Sequence, residues 1–480
     1  MIEKVIGRDD EKQIMLDILH SENAELLAIY GRRRVGKTFL IRNIFEDQII
    51  FEFSGIHDAN TKIQLENFSL ALSAVSGSLP LAIPANWLNG FKMLTEYLTP
   101  LLKKKRQVIF FDEFPWIHSP RSGFLQAFEN FWNSWAVKQH NLIVVICGSS
   151  ASWMIQKVVN NRGGLHNRVT KKIRLLPFTI VETELFLKSR NIKLDRYQIL
   201  QVYMVMGGIP HYLKEIQKGE STVQAIDRIC FTKDGLLFNE FKNLYDSLFD
   251  NAGNHLVIIR ALAKKASGLT RQEIIEASKI TSGGGMTRLL DELTESGFIT
   301  PYIPFDTTVK NCIYKLTDEY SLFYIKFIEN KKSSGKGTWI KYSTGNSWRV
   351  WSGIAFESIC MKHVVQIKIA LGIAGVYSET SVWRGRNTGD DPGVQIDLLI
   401  DRQDKCINLC EIKFSVDPFV LNTKYALELK QKEEIFRAHT QTRKSIFLTL
   451  ISPHGIKNGD TFAGLIQNDI TMDALFKHNV

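Results

Sequence analysis

The chain has 480 residues, of which 44% are hydrophobic and 23% are charged. At roughly 150 residues per domain, this length allows about three domains. The composition excludes a disordered tail protein, a collagen-like chain and a disulfide-stapled miniprotein. Lysine and arginine number 60 against 50 aspartate and glutamate, and the resulting net charge of +10 fits a polyanionic partner without establishing one.

The six cysteines form neither a C-x-x-C pair nor a cysteine/histidine grid of the kind that zinc requires. We therefore interpret them as reduced core residues of a cytosolic protein. The first twelve residues are mostly charged, which does not fit a signal peptide. The longest apolar strand, Leu142–Cys147, is far shorter than the roughly 20 residues of a membrane helix. The sequence predicts a cytoplasmic protein without a membrane span.

Residues 1–240 alternate short apolar runs with amphipathic stretches, which is the pattern of a parallel α/β sheet. Apolar and aromatic residues at helical spacing over 124–135 predict a core-facing helix rather than a base-stacking platform. The predicted strands are Leu26–Tyr30, Ile49–Phe53, Val108–Phe111 and Leu142–Cys147.

Residues 241–330 have the pattern of a winged helix, three short helices followed by two strands. The third helix carries the acids Asp291, Glu292 and Glu295, which oppose a phosphate backbone, so a protein-contacting or lid-like role stays open beside DNA reading. The predicted elements are the helices His255–Lys265, Thr270–Ala277 (capped by Thr270) and Thr287–Ser296, and the strands Phe298–Ile303 and Asn311–Leu316.

Residues 31–38 match the phosphate-binding pattern G-x-x-x-x-G-K-[ST] at every constrained position, between an apolar strand and a predicted helix. The glycines let the backbone wrap around phosphates, and the helix N-terminus offers N–H groups to the anion. Lys37 is expected to reach the β- and γ-phosphates, and the Thr38 hydroxyl is expected to bind Mg²⁺. The predicted nucleotide-binding residues are Gly31, Arg32, Arg33, Arg34, Val35, Gly36, Lys37, Thr38 and Phe39.

Two further strand ends carry candidate residues for the same site. Val108–Phe111 delivers Asp112 and Glu113, to which we assign Mg²⁺ coordination and activation of the attacking water. A helix-capping Asp112 beside a solvated Glu113 is the alternative. Ser149 and Ser150 follow the strand Leu142–Cys147, and one of them is a candidate contact to the γ-phosphate or the water, with a simple turn as the alternative.

Residues 6–11, IGRDDE, are similar to the N-terminal motif of AAA+-type ATPases of the origin-recognition and signal-transducing clades. The phosphate loop, the Asp112–Glu113 pair, residues 148–150 and residues 207–210 follow in that family's order. Nearly the whole chain thus resembles the archaeal-type AAA+ P-loop ATPases, also widespread in bacteria, whose C-terminal domain is similar to restriction endonucleases. The resemblance implies an α/β fold with a P-loop AAA+-type parallel sheet and helical lid over 1–240, a winged helix over 241–330, a linker over 331–347 and a nuclease-like α/β domain over 348–480.

The segment Leu165–Arg168, followed by residues 176–178, is similar to the family segment that carries a functional arginine. The resemblance implies that Arg168 senses the γ-phosphate or acts in trans as an arginine finger, and a surface ion pair is the alternative. The sequence departs from the family at Asn167, where glycine is expected, and at Ser149, where many relatives have asparagine. These departures bear on the rate of hydrolysis more than on nucleotide binding.

In the third region, Val394–Ile400 and Cys406–Phe414 are predicted to form an antiparallel hairpin that places Asp397 opposite Glu411. Lys413, two residues further on, shares the face of Glu411. Two carboxylates on one face can hold Mg²⁺ or Mn²⁺, and a neighbouring lysine can help activate a water or stabilise developing charge. The same register pairs Leu398 with Cys410 and Leu399 with Leu409.

The spacing D-x(13)-E-x-K resembles the core of PD-(D/E)xK nucleases. On the preceding helix, predicted over 355–367, Glu357 fits the additional acidic residue of that fold, while Tyr425 and Lys430 fall on the following helix, predicted over 425–436. An ion-pair network at a sheet end is the alternative. The implied metal ligands are Glu357, Asp397 and Glu411, with Glu411 and Lys413 as catalytic residues.

The sequence therefore predicts an ATP-hydrolysing protein with ATP and Mg²⁺ in the phosphate loop, whose C-terminal domain is an Mg²⁺- or Mn²⁺-dependent DNA nuclease gated or positioned by ATP turnover. The alternative is an ATP-driven regulatory or assembly switch that uses the nuclease-like domain only for binding. DNA is the predicted macromolecular partner, and the winged helix can support a homo-oligomer or a protein partner. The acidic third helix disfavours a sequence-specific transcription factor.

Overall fold

The computed structural model describes residues 4–77, 81–103, 105–160, 163–165, 167–249, 251–330, 335–385, 393–457 and 463–478. The chain divides into two units, Met1–Pro177 with Ser247–Asp250 and Phe178–Asp246 with Asn251–Val480. Within the described residues, no helix has both the length and the apolar character that a membrane crossing requires. All six cysteines are free thiols, and five of them are buried.

A five-stranded parallel sheet forms the centre of the first unit, in the order β2-β3-β4-β1-β5. Helices cover both faces of such a sheet, so its central strands are buried on both sides and their sequences are continuously apolar. All four predicted strands are present, and the fifth strand was not predicted because it contains a single apolar residue. The strands are β1 (Glu25–Tyr30), β2 (Ile49–Ser54), β3 (Gln107–Asp112), β4 (Leu142–Gly148) and β5 (Lys171–Arg174).

The helices of the first unit bury an aromatic core against this sheet. The predicted apolar face over 124–135 is buried, and Phe131 stacks on Phe91 with 5.0 Å between the ring centroids. This confirms that these aromatic residues are core rather than a base-stacking platform. The helices are α1 (Asp9–His20), α2 (Lys37–Ile44), α3 (Thr61–Ser76), α4 (Trp87–Leu101), α5 (Phe114–Ile117), α6 (Phe124–Ser134) and α7 (Ala151–Met154).

The second unit begins with helices and continues into a small antiparallel sheet. Thr270 caps its helix with a full capping box, as predicted. The helices up to this sheet are α8 (Ile180–Ser189), α9 (Arg196–Met206), α10 (Pro210–Leu213), α11 (Thr222–Phe231), α12 (Glu240–Asp246), α13 (Ala252–Ala263), α14 (Arg271–Ser278) and α15 (Gly284–Glu295). The three strands, in the order β6-β8-β7, are β6 (Leu269–Thr270), β7 (Ile299–Tyr302) and β8 (Ile313–Leu316).

In helix α15, one of the three acids that were expected to oppose a phosphate backbone points into the protein instead. Glu292 is buried, and its carboxylate accepts hydrogen bonds from His255 (2.8 Å) and Arg288 (2.8 Å). Burial opposes the ionisation of Glu292, yet these two bonds hold its pKa below the usual value. The outer face of this helix therefore carries fewer acids than the sequence pattern implied.

A second five-stranded sheet, in the order β13-β12-β11-β10-β9, occupies the C-terminal part. Its strands β9 (Ser378–Arg384), β10 (Gln395–Arg402) and β11 (Cys406–Ile412) are antiparallel neighbours, whereas β12 (Ser445–Ser452) and β13 (Asn468–Thr471) continue in parallel. The pairings Leu398–Cys410 and Leu399–Leu409 confirm the predicted register. The remaining helices are α16 (Glu319–Phe327), α17 (Thr338–Tyr342), α18 (Asn346–Lys362), α19 (Val364–Ala370) and α20 (Thr423–Thr440).

Two segments before this sheet differ from the sequence pattern. Part of the predicted linker is helix α17, because Trp339 is buried and stacks on Phe231 with 5.7 Å between the ring centroids. The helix predicted over 355–367 begins earlier and is interrupted at His363, whose φ is −108°. The predicted loop Asp390–Asp391–Pro392 lies outside the described residues.

The interruption at His363 makes the stability of the chain sensitive to acid. One ring nitrogen bonds the Ile359 carbonyl (2.8 Å) and the other accepts the Ile180 N–H (3.2 Å), so the buried ring is neutral. Burial lowers the pKa of His363 to about 4. Since an unfolded histidine titrates near 6.5, the unfolded chain binds more protons between those values, and the free energy of unfolding should fall by about 2 kcal/mol from pH 7 to pH 4.5.

Urea unfolding at both pH values checks this expectation. The variant His363→Gln should lose this part of the pH dependence, because glutamine does not titrate. An equally steep dependence in the variant would show that other groups cause it.

Candidate functional site

The phosphate loop of the first unit requires glycine at two positions. Gly31 has φ +151°, and a Cβ atom there would lie 2.2 Å from the carbonyl oxygen of Leu175. Gly36 has φ +94° and immediately precedes helix α2. Because side chains are strained in this region of φ, the loop conformation selects glycine at both positions. A loop of this conformation, followed directly by a helix N-terminus, can present backbone N–H groups to an anion.

Lys37 lies inside this loop. Its ammonium donates to the carbonyl oxygens of Gly31 (2.8 Å) and Arg32 (3.0 Å), and only 6% of the residue is exposed. Val35, also buried, accepts a bond from the Arg8 guanidinium at 3.4 Å. The N-terminal motif is therefore attached to the loop through Arg8, a contact that the sequence reasoning did not assign.

The remaining loop residues differ in their surroundings. Arg32 is buried, Arg34 adopts φ +72°, and Phe39 is 39% exposed on α2. Arg33 lies over the ring of Trp116, with 5.3 Å between its guanidinium carbon and the ring centroid. Trp116 also contacts the His57 ring, with 4.9 Å between centroids. Trp116, three residues after Glu113, is a residue of this site that was not predicted from the sequence.

Thr38 and Asp112 meet where α2 begins and β3 ends. The threonine hydroxyl donates to one Asp112 carboxylate oxygen at 2.9 Å, and the other oxygen accepts the Glu113 N–H at 3.0 Å. The N-cap of helix α5 is Glu113, so the geometry does not match the helix-capping alternative for Asp112. A hydroxyl and a carboxylate oxygen are the hard ligands that Mg²⁺ prefers, so these residues fit that ion.

Glu113 is held by the end of β4. Its backbone has φ +44°, and its carboxylate accepts both the N–H (3.1 Å) and the hydroxyl (2.8 Å) of Ser149. Ser149 is almost completely buried. Serine therefore orients the acid on the neighbouring strand, which is a more specific contact than a simple turn provides.

This contact gives an expected result for Ser149→Ala. The variant loses the hydroxyl but keeps the backbone donor, so Glu113 should be less well oriented, and kcat for ATP hydrolysis should fall about tenfold with little change in KM. Phosphate release under steady-state conditions measures both constants. Ser150→Ala is the matched control and should behave as the wild type, and unchanged turnover in Ser149→Ala would remove this role.

Arg168 is not brought to the loop by any described contact. It lies exposed in a turn, where its N–H donates to the Leu165 carbonyl, and within the described residues its side chain makes no ion pair. The surface ion pair considered for it is therefore also not seen there. Asn167 has φ +53°, a conformation that asparagine tolerates better than most residues, which accounts for asparagine where glycine is expected.

The C-terminal sheet carries a second cluster, centred on Glu411 of β11. One carboxylate oxygen accepts bonds from the Tyr425 hydroxyl (2.7 Å) and the Lys413 ammonium (2.9 Å), and the other accepts Lys432 (2.7 Å). Burial opposes the ionisation of Glu411, but the two lysines hold its pKa below the usual value. Of the two residues predicted on the following helix, Tyr425 contacts this acid, whereas Lys430 is exposed.

Asp397 and Glu357 complete this cluster. Asp397 accepts the Ile412 N–H at 3.3 Å, and burial together with the charges of Glu357 and Glu411 raises its pKa to about 7. Glu357 is bonded to Lys315 of β8 at 2.6 Å. In the described parts of the chain, no group of three or more histidine, cysteine or acidic residues is arranged to hold a metal ion. As arranged here, the cluster does not fit a metal.

Comparison with known proteins bears on the first of these two sites. Residues 6–216 match the family described as an ATPase domain predominantly from Archaea. Over 413 residues the chain is 23% identical to an uncharacterized protein, MJECL04, of Methanocaldococcus jannaschii, which covers 85% of this chain and 87% of that protein.

Three solved structures illustrate the similarity of the chain to proteins of known structure. The Walker-type ATPase PABY2304 of Pyrococcus abyssi is 17% identical, with a TM-score of 0.48 over 67% of this chain and 96% of that one. ORC2 of Aeropyrum pernix is 15% identical (TM-score 0.38, 66% and 91%), and a RuvB variant of Thermotoga maritima is 12% identical (TM-score 0.34, 64% and 92%).

Proposed function

We propose that this chain, whose residues 6–216 form an archaeal-type ATPase domain, couples ATP hydrolysis to a C-terminal DNA nuclease. The observation that carries the ATPase half is the meeting of Thr38, Asp112, Glu113 and Ser149 at adjacent strand ends beside the phosphate loop. The nuclease half is supported by Asp397 and Glu411 on two neighbouring antiparallel strands and by Lys413, directly after the second strand, whose ammonium contacts Glu411.

At the ATPase site, Lys37 and the loop N–H groups would bind the phosphates of ATP. Thr38 and Asp112 would hold Mg²⁺, and the ion would neutralise part of the phosphate charge. Glu113, oriented by Ser149, accepts the proton of the attacking water. Arg168 remains a candidate γ-phosphate sensor or trans-acting finger, and the second role requires an assembly of several chains.

The C-terminal region contains, in chain order, helices α18 and α19, three antiparallel strands, α20 and then a parallel strand, and this α/β arrangement is compatible with the proposed nuclease-like domain. Asp397, Glu411 and Lys413 lie at one end of the β10–β11 pair, and Glu357 lies on α18, which packs against β11. We propose that these acids bind Mg²⁺ or Mn²⁺ in a rearranged state of the cluster.

The helices α13–α15 with β6–β8 would form the winged-helix module of 241–330 and give the chain a DNA or protein contact. Helix α15 exposes Thr287 and Arg288. We retain the boundaries 1–240, 241–330, 331–347 and 348–480 as proposed domains. A cytoplasmic location follows from this proposed role.

One observation favours the second candidate function, an ATP-driven switch that only binds nucleic acid or a protein through the C-terminal domain. Lys413 and Lys432 both face Glu411, and a tyrosine hydroxyl lies beside them. With Glu411 occupied by these ammonium groups, the cluster in its present arrangement does not fit a metal ion, which is compatible with a domain that binds without cutting.

Supercoiled plasmid with Mg²⁺ or Mn²⁺ distinguishes the two functions. We expect the wild type to nick the plasmid and Asp397→Asn to nick it at least about a hundredfold more slowly. Lys37→Ala should keep the basal nicking rate but lose its response to ATP. Glu428→Gln, on the exposed part of α20, is the control and should cut normally. If no variant cuts, the switch is the better account.

A further inference from the structure

The hairpin of β7 and β8, residues 299–316, is attached to the C-terminal sheet. Its connecting segment forms a parallel bridge between Pro304 and Val382 of the edge strand β9, and the Phe305 N–H donates to the Val382 carbonyl at 2.8 Å. The Phe305 ring contacts Phe436 of α20, with 5.5 Å between the ring centroids. Backbone pairing and an aromatic contact thus hold the hairpin on the sheet.

The hairpin also places a lysine on the acidic cluster. Lys315 of β8 donates to Glu357 at 2.6 Å, and the side chain of Lys315 is only 9% exposed. In a second ion pair, α18 supplies the lysine instead of the acid: Lys362 donates to Glu319 of α16, also at 2.6 Å. Two reciprocal ion pairs therefore join α18 to the hairpin and to the helix that follows it.

These contacts leave the acids of the cluster already occupied. Glu357 has Lys315, Glu411 has Lys413 and Lys432, and Asp397 accepts a backbone N–H. A divalent cation on Glu357 would have to share a carboxylate with a poorly solvated ammonium, and like charges repel strongly at such separations. Of the three lysines, only Lys315 comes from outside the nuclease-like region.

We propose that Lys315 is a built-in counter-ion that keeps divalent metal out of the nuclease-like site until the β7–β8 hairpin leaves the sheet. The inference rests on the proposed nuclease function and supplies its regulation. When the hairpin leaves the sheet, Glu357 loses its ammonium partner. A metal ion can then bind Glu357 together with Asp397 and Glu411. Hairpin docking and metal binding thus exclude each other.

The test measures the affinity of the full, nucleotide-free chain for Mn²⁺. Mn²⁺ is titrated into the protein, and electron paramagnetic resonance detects the ion that stays free. The part of the binding that Asp397→Asn removes belongs to this cluster. Lys315→Met should bind Mn²⁺ at that site at least about tenfold more tightly than the wild type, because a positive charge next to it is gone. Lys315→Arg retains the charge and should bind as the wild type does.

Two further variants keep the test specific. Lys310→Met removes an exposed lysine of the same hairpin segment and should have no effect. Phe305→Ala leaves every charge in place but weakens the docking, and should also tighten Mn²⁺ binding. Equal affinity in the wild type and Lys315→Met, with Phe305→Ala also unchanged, would overturn the proposal.

Plasmid nicking by the same proteins separates this proposal from the nuclease function. Tighter Mn²⁺ binding without any nicking in Lys315→Met supports the counter-ion and contradicts the nuclease. Nicking by the wild type with no gain in affinity or rate in Lys315→Met overturns the counter-ion and leaves the nuclease standing. If neither protein binds Mn²⁺ at this cluster, both are overturned.

Discussion

Replacing Lys37 with alanine should lower ATP turnover by at least about a thousandfold, the largest effect we expect from any single substitution. The ammonium is buried inside the loop on the carbonyls of Gly31 and Arg32, where it is positioned to meet a phosphate bound by the loop. ATP binding should weaken as well, because the loop loses a positive charge that faces the phosphates.

Phosphate release and the binding of a fluorescent ATP analogue measure these two effects. Lys92→Ala, an exposed lysine on α4, is the matched control and should retain wild-type turnover. Turnover within about tenfold of the wild type in Lys37→Ala would mean that ATP is not hydrolysed in this loop.

The second large effect concerns the backbone of the same loop. Gly31→Ala should lower the free energy of unfolding by about 3 kcal/mol or more, because φ is +151° and the new Cβ would lie 2.2 Å from a backbone oxygen that cannot easily move. If the variant folds, a displaced loop should no longer bind ATP.

Chemical denaturation followed by circular dichroism measures the stability term. Gly353→Ala is the control, since this glycine lies in helix α18 with open space around it, and alanine there should be neutral or stabilising by up to about 1 kcal/mol. A Gly31→Ala chain as stable as the wild type would contradict the observed loop geometry.

The strands of the first sheet could be predicted because they are buried on both faces and therefore continuously apolar. Strand β5 escaped prediction because its four residues, KKIR, include one apolar side chain, and its pairing with β1 is what makes it a strand. The register of β10 and β11 could be predicted because a short turn permits few pairings. The observed pairing of these strands begins at Leu398, so Asp397 lies one position outside it. Pairing rules alone do not predict where the pairing ends.

Contacts that depend on the docking of separate elements, without a motif to mark them, could not be predicted. Lys315 and Glu357 are 42 positions apart, and only the docking of the β7–β8 hairpin brings them together. Lys432 rather than Lys430 contacts Glu411 because residues seven apart on a helix share a face, and Tyr425 and Lys432 have that spacing. Glu292 points inward because His255, on another helix, offers it a buried partner.

The central claim is that one chain hydrolyses ATP and thereby controls cleavage by its C-terminal domain. The most direct test is the rate of plasmid nicking by the full-length wild type with Mg²⁺ or Mn²⁺, in the presence of ATP, of ADP, or of no nucleotide. We expect nicking whose rate changes when ATP is supplied and does not change in the same way with ADP. Identical rates under all three conditions, or no nicking under any of them, would contradict the claim.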